Sequence, residues 1–167
     1  MKTPAPPPAP CLYFQVHQPY RLAEYDFFQV GERGYYENDG LNEMVFSKVA
    51  EKCYLPATKL FRELIEKTEG RFRFALSLTG VVMEQMEDYR PDVLEAFRDL
   101  VATGSVEILG ETYYHSLTSL YSSQEFTRQV ALHRTKVREV FGVEPQVFRN
   151  TELVYSNRIA TAAEEMG

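Results

Sequence analysis

"CLYFQVH", residues 11–17, decides the fold. It is a compact apolar and β-prone run stopped at once by "QPY", and it reads as a buried strand whose last residue is His17. The next twenty residues, "RLAEYDFFQVGERGYYENDG", mix aromatics, glycine and charge without a clean period, and a loop of that length reads as a cover over a site.

From Leu41 the pattern turns helical, with Met44, Val45, Val49 and Cys53 on one stripe. Pro56 opens a second helix carrying Leu60, Leu64 and Ile65, and Gly70 ends it. "FRFALSLTG", residues 72–80, alternates as a second strand, and Pro91 begins a helix with Val93, Leu94, Phe97 and Val101 that Gly104 closes. "VEILG", residues 106–110, is the third strand, and Ser122 with Glu125 gives capping-box spacing before a helix to about Phe141. His133 shares the stripe of Phe126, Val130, Val137 and Phe141, so it reads as structural. "QVFRN", residues 146–150, is the fourth strand, and Asn157 caps a last helix.

Strands separated by helices pair in parallel through right-handed crossovers, so the class is α/β, either an open sheet or part of a barrel. A complete (β/α) barrel takes about 250 residues. The 167 residues then correspond to the N-terminal half of one, as a truncated domain over residues 11–167 after a disordered, proline-rich tail over residues 1–10. A half barrel leaves an edge and an apolar face that the remainder of the barrel or self-association must cover.

A formal charge of -6 disfavours nucleic acid and anionic membranes as partners. The two cysteines, Cys11 and Cys53, stand in apolar surroundings and read as free buried thiols of a reducing compartment. No stretch reaches the roughly 20 apolar residues of a membrane span, and the N-terminus lacks a signal peptide's apolar segment, so a cytoplasmic location is expected. The histidines, at 17, 115 and 133, show no metal-ligand spacing, and no P-loop, G-x-S-x-G or G-x-G-x-x-G pattern occurs. A metal site would have to be assembled over long range and none is expected, and serine hydrolases, P-loop NTPases and dinucleotide enzymes lose support.

Polar residues stand at or just past three strand ends: His17, Glu111 and Glu152. In parallel α/β folds these ends share one face, where distant residues converge on a pocket. Glu152 alone reads equally as a solvated loop acid; Glu111 alone reads as a loop brace, and His17 as a core histidine. Together, two carboxylates suit glycoside cleavage, in which one acid attacks and one protonates the leaving oxygen. "GETYYHSL", residues 110–117, adds tyrosines and His115, a mixture that suits sugar rings and hydroxyls. If Glu152 points inward, strand alternation puts Asn150 on its face and turns Arg149 away unless the strand has ended.

With "YFQVHQP", "EILGETYYHSL" and "FRNTELVYSN" in order, the sequence resembles the glycoside hydrolase family 57 α-amylases and 4-α-glucanotransferases. The resemblance implies a distorted (β/α) barrel with seven strands, acting without a cofactor on α-1,4-glucans (starch, glycogen, maltooligosaccharides) by a retaining double displacement. Glu152 then matches the nucleophile, and His17 and Glu111 match polar contacts in the subsite of the cleaved sugar; Gln18, His115 and Asn150, beside them in the motifs, are further candidate substrate-binding residues. The family's acid/base is an aspartate in a later motif, so the isolated chain is expected to be inactive. Two alternatives stand beside this reading: a metal-dependent polysaccharide deacetylase, and a non-catalytic glucan-binding remnant.

Overall fold

The structure is a computed structural model that describes residues 10–32 and 36–166. Residues 1–9 of the expected tail over residues 1–10 lie outside the described residues. Strand β1 (Tyr13–Val16) is followed by helices α1 (Asp39–Val49) and α2 (Leu55–Lys67), strand β2 (Phe74–Leu78), and helices α3 (Gly80–Tyr89) and α4 (Pro91–Ala102). Strand β3 (Val106–Ile108), helix α5 (Ser123–Phe141) and helix α6 (Asn157–Glu165) complete the order. The strands form a parallel sheet, β1-β2-β3, in register Tyr13 with Ala75 and Phe74 with Val106. The expected parallel α/β class is what folds.

β2 is central and buried along its whole length. Phe74, Leu76 and Leu78 point to the helices and join Phe46, Met83, Phe97, Leu100 and Val137 in the main core. Alternation sends Ala75 and Ser77 to the opposite, inner face, beside Tyr13 and Gln15 of β1. A smaller core of Phe126, Val130 and Ile159, with Phe148 against it, seats α6 on α5.

Several expectations are corrected. β1 is not buried as expected: among the described residues it pairs with β2 alone, and Tyr13 and Phe14 are exposed, although Phe14 still packs its ring 4.8 Å from Phe61 of α2. The fourth strand contracts to one parallel bridge, Gly110 with Phe148, because the chain turns sharply directly afterwards. α3 has no counterpart in the sequence reading; Thr79 caps it by accepting from the Val82 amide. The buried stripe of α1 runs through Asn42, Phe46 and Ala50 to Tyr54, leaving Met44 and Cys53 exposed. A π-helical stretch, Ala50–Tyr54, carries α1 into α2, so Pro56 sits in the first turn of a continuing helix. In α2, Thr58 and Ile65 are buried while Leu60 is exposed. Cys11 is exposed as well, so neither thiol is buried. Ser156, not Asn157, caps α6.

Other expectations stand. Pro91 opens α4, whose Val93, Leu94, Phe97 and Val101 are buried. Ser122 caps α5, and Gly142 ends it at φ 68, a left-handed conformation that glycine adopts without a Cβ penalty. The loop before α1 is pinned at its base by the Leu22–Glu37 bridge and by Asn42, whose side-chain oxygen accepts from the Arg21 amide at 2.8 Å. Among the described residues no helix is long and apolar enough to cross a membrane.

Tight packing at the start of α3 gives a test. A Cβ built on Gly80 would lie 2.4 Å from the ring of Tyr113, which is itself buried and hydrogen-bonded to Glu84. Gly80→Ala is expected to lower stability by about 1–3 kcal/mol in urea denaturation, the range typical of overpacking.

Candidate active site

The C-terminal ends of the strands bring His17, Thr79, Glu111 and Glu152 to one end of the sheet. Glu111 follows β3 and has no solvent exposure. Its Oε1 accepts a hydrogen bond from Ser77 Oγ at 2.6 Å, while its Oε2 has no hydrogen-bond partner and lies 3.6 Å from His115 Nδ1. The chain then turns back through Thr112, whose carbonyl accepts from the His115 amide at 3.2 Å, so that His115 stands over the acid at φ 55.

Glu152 arrives from the other side. It lies in the tight turn Thr151–Leu153, directly after the Phe148 bridge, with φ 52 at Glu152 and φ 57 at Leu153. Left-handed backbone at residues with a Cβ is sparsely populated and strained by about 1–3 kcal/mol each, and such strain gathers at functional sites. Two contacts hold the turn: Thr112 Oγ1 to Thr151 Oγ1 at 2.8 Å, and His115 Nε2 to Glu152 Oε1 at 3.0 Å. The Glu152 side chain is 68% exposed, against 0% for Glu111. One carboxylate is thus presented and the other enclosed.

The three histidines all converge here. His17 stacks on His115 with ring centroids 4.4 Å apart, and its Nδ1 lies 2.9 Å from Thr79 Oγ1. Burial, and then the neighbouring His115, push the His17 pKa down to about 4. His133 of α5 is wholly buried; its Nε2 donates to the Leu78 carbonyl at 2.7 Å, its Nδ1 accepts from the Glu111 amide at 3.4 Å, and burial lowers its pKa. His115 moves the other way, raised by the Glu111 carboxylate beside it and by its bond to Glu152. The sequence reading of His133 as structural holds, with the addition that it orients the backbone of Glu111.

The remaining candidates are placed differently. The Gln18 side chain contacts Tyr54 Oη at 3.4 Å and accepts from Arg21 at 3.0 Å. Asn150 spends its amide nitrogen on Ser119 Oγ at 3.2 Å and the Val154 carbonyl at 2.9 Å, which closes the Glu152 turn from behind. Neither contacts Glu152. Arg149 extends across the inner face to Tyr13, its guanidinium carbon 5.5 Å from the ring centroid and Nη2 3.5 Å from the hydroxyl. The strand has ended by Glu152, so alternation no longer relates the two residues. Sequence reasoning missed Ser77 and Thr79, although β2 alternation on the face of Ala75 was the available signal.

A concavity of about 620 Å³ opens at the other end of the strands, between Leu12, Ala75, Glu107 and Val143, and none of His17, Glu111, His115, His133 and Glu152 lines it. Convergent polar chemistry, not hollowness, marks the site.

The sequence matches the model of glycosyl hydrolase family 57 over residues 11–167, and the chain belongs to that family. A Methanocaldococcus jannaschii protein that carries alpha-amylase as a provisional name is 44% identical over 160 residues, 92% of this chain and 33% of its own length. The crystal structure of the 4-alpha-glucanotransferase from Thermococcus litoralis superposes with a TM-score of 0.71 at 19% identity, over 94% of this chain and 21% of that one. The alpha-amylase AmyC from Thermotoga maritima gives 0.62 at 16% identity, over 93% and 38%. The chain therefore spans about a third of the first relative's length, and the two structures show a shared fold.

Two measurements test the site's energetics. Ser77→Ala removes the donor to a fully buried carboxylate and is expected to destabilise by about 1.5–3 kcal/mol in urea titration, the range for hydrogen bonds to charged groups. The histidines also set a pH dependence. His17 and His133, lowered from 6.5, bind protons more readily when unfolded, so their contribution is full above 6.5 and is lost as pH falls, for His17 through about 4. His115, raised from 6.5, contributes fully below 6.5 and loses its contribution as pH rises through its folded value. Thermal unfolding against pH is expected to show the combined histidine contribution greatest near 6.5.

Proposed function

We propose that this chain contributes the nucleophile to a retaining enzyme acting on α-1,4-glucans, a glycoside hydrolase or glucanotransferase. The observation that carries the reading is Glu152: an exposed carboxylate on a strained turn a few residues after the Gly110–Phe148 bridge, oriented by a 3.0 Å bond to His115. Membership of family 57 and the amylase and glucanotransferase names of its relatives support the substrate class.

In this reading Glu152 attacks the anomeric carbon as the leaving oxygen is protonated, giving a covalent glycosyl-enzyme that water, or a second sugar's hydroxyl, resolves. Glu111 is not the second reactive acid, because it is enclosed and its oxygens face Ser77 and His115. The proposal assigns the acid/base to an aspartate outside these 167 residues, in keeping with the third of the relative's length that the chain spans. From this segment His17 is best placed to meet the sugar: Thr79 engages one ring nitrogen, and the neutral ring leaves the other for a hydroxyl. The deacetylase alternative needs converging metal donors, and among the described residues no group of three or more His, Cys, Asp and Glu side chains is so arranged.

In a complete catalytic domain carrying this segment, a 5-fluoroglycosyl fluoride is expected to leave a covalent mass label on Glu152. A label on another residue would sink the assignment, and maltooligosaccharide binding without any label would favour the binding-remnant reading. The 167-residue chain by itself is expected to leave maltooligosaccharides uncut, since removing one of two acids that act as a unit removes most of the rate.

A further inference from the structure

We propose that His115 carries the positive charge of this cluster and acts as the positioning residue of Glu152, coupling that exposed carboxylate to the buried one of Glu111. The proposal rests on the functional reading only where it calls Glu152 a nucleophile; the charge arrangement stands without it.

The first ground is the need of Glu111. A carboxylate removed from water is costly unless it is paired and hydrogen-bonded. Ser77 serves one oxygen at 2.6 Å, and the other faces His115 Nδ1 at 3.6 Å.

The second ground is elimination among the neighbouring cationic groups. The Leu78 carbonyl requires a proton on His133 Nε2, and the Glu111 amide requires a lone pair on His133 Nδ1, so that ring is fixed as neutral. His17, stacked on His115, has its Nδ1 engaged by the Thr79 hydroxyl rather than by a carboxylate, so of the two stacked rings it is the one without an anionic partner among the described residues. Arg149 reaches Tyr13 instead of Glu111. His115 is left.

The third ground is the geometry of His115 itself. Nδ1 faces Glu111 Oε2 and Nε2 bonds Glu152 Oε1, so the two ring nitrogens look at two different carboxylates. A neutral ring offers an N–H to only one of them; an imidazolium offers one to each. Gln15, from β1, brings its amide nitrogen to 3.0 Å from Nδ1 and 3.3 Å from Nε2, a donor that does not favour a proton on the ring. The groups facing His115 are therefore Gln15, His17, Glu111 and Glu152, of which only the carboxylates favour its charge. Held by one oxygen, Glu152 keeps the other for the anomeric carbon.

The test uses the 167-residue chain with labelled imidazoles, titrated by NMR, and needs no activity. In the parent chain His115 is expected to be protonated at pH 6.5 while His17 and His133 are neutral. Glu152→Gln, an isosteric change at an exposed side chain that keeps a hydrogen-bonding group at His115, and Glu111→Gln, where it folds, should each shift the His115 titration downward. His115→Gln should shift His17 upward from about 4, because the positive neighbour is gone while both carboxylates remain. A neutral His115 at pH 6.5, no response to Glu152→Gln, or a His17 titration unmoved by His115→Gln overturns the proposal. Failure of glycosyl labelling at Glu152 with these titrations intact would remove the functional reading and leave the charge relay standing.

Discussion

A carboxylate with no access to water sits at the end of β3, and much of the local structure answers to it. Glu111 is reached by Ser77 from the centre of the sheet, by His133 from α5 and by His115 from its own loop. Each of these lies on a different element, so the contacts to one enclosed residue, two at its carboxyl group and one at its backbone amide, tie together β2, α5 and the loop after β3. A buried anion is poor at adding stability, because desolvation offsets the attraction of its partners. What it supplies here is geometry: His115 is held where Glu152 meets it.

That arrangement separates the two acids by environment. Glu111 is enclosed and hydrogen-bonded; Glu152 is open to solvent on one side and held on the other. An exposed carboxylate tethered through one oxygen suits attack on carbon, while an enclosed one suits fixing the charge and orientation of its neighbours. The histidines divide in the same way. His133 is neutral because two backbone groups demand it, His17 because burial and its stacked neighbour oppose charge, and His115 lies between the two carboxylates.

The sequence made the parallel α/β class legible, along with the strand ends that bear His17, Glu111 and Glu152, because strand runs ending in polar residues are local patterns. It did not disclose that β1 pairs on one side alone among the described residues, since an apolar run looks alike whether a strand is flanked once or twice. α3 was missed because its Gly80 and Thr79 resemble a turn, whereas Thr79 is its cap and Gly80 makes room for Tyr113. The thiols were misjudged for a related reason: apolar neighbours in sequence do not specify which side of a helix or strand meets the core. Gln18 and Asn150 were legible as polar residues near the motifs, but their partners, Tyr54, Arg21, Ser119 and Val154, depend on loop paths that no periodicity encodes.

At the fourth strand position side-chain parity breaks down. Alternation along "FRNTE" would set Asn150 and Glu152 on one face and Arg149 on the other, but it holds only while the backbone stays extended. Asn150 is the last extended residue before the turn; Glu152 and Leu153 are left-handed. Two successive residues of that kind reverse the chain, so Glu152 is aimed by the turn and not by the strand. Arg149 remains under strand geometry and lies across the inner face on Tyr13, while Asn150 folds its amide under the turn. Of the four non-glycine residues with positive φ among those described, His115, Glu152 and Leu153 belong to this one junction. Strain concentrated there is held by the Thr112–Thr151 hydroxyl pair and the His115–Glu152 bond. An unstrained continuation of the strand would return Glu152 to alternation and dissolve its contact with His115. The backbone cost and the orientation of the acid are therefore the same feature, and the residues that hold the turn govern where the carboxylate points.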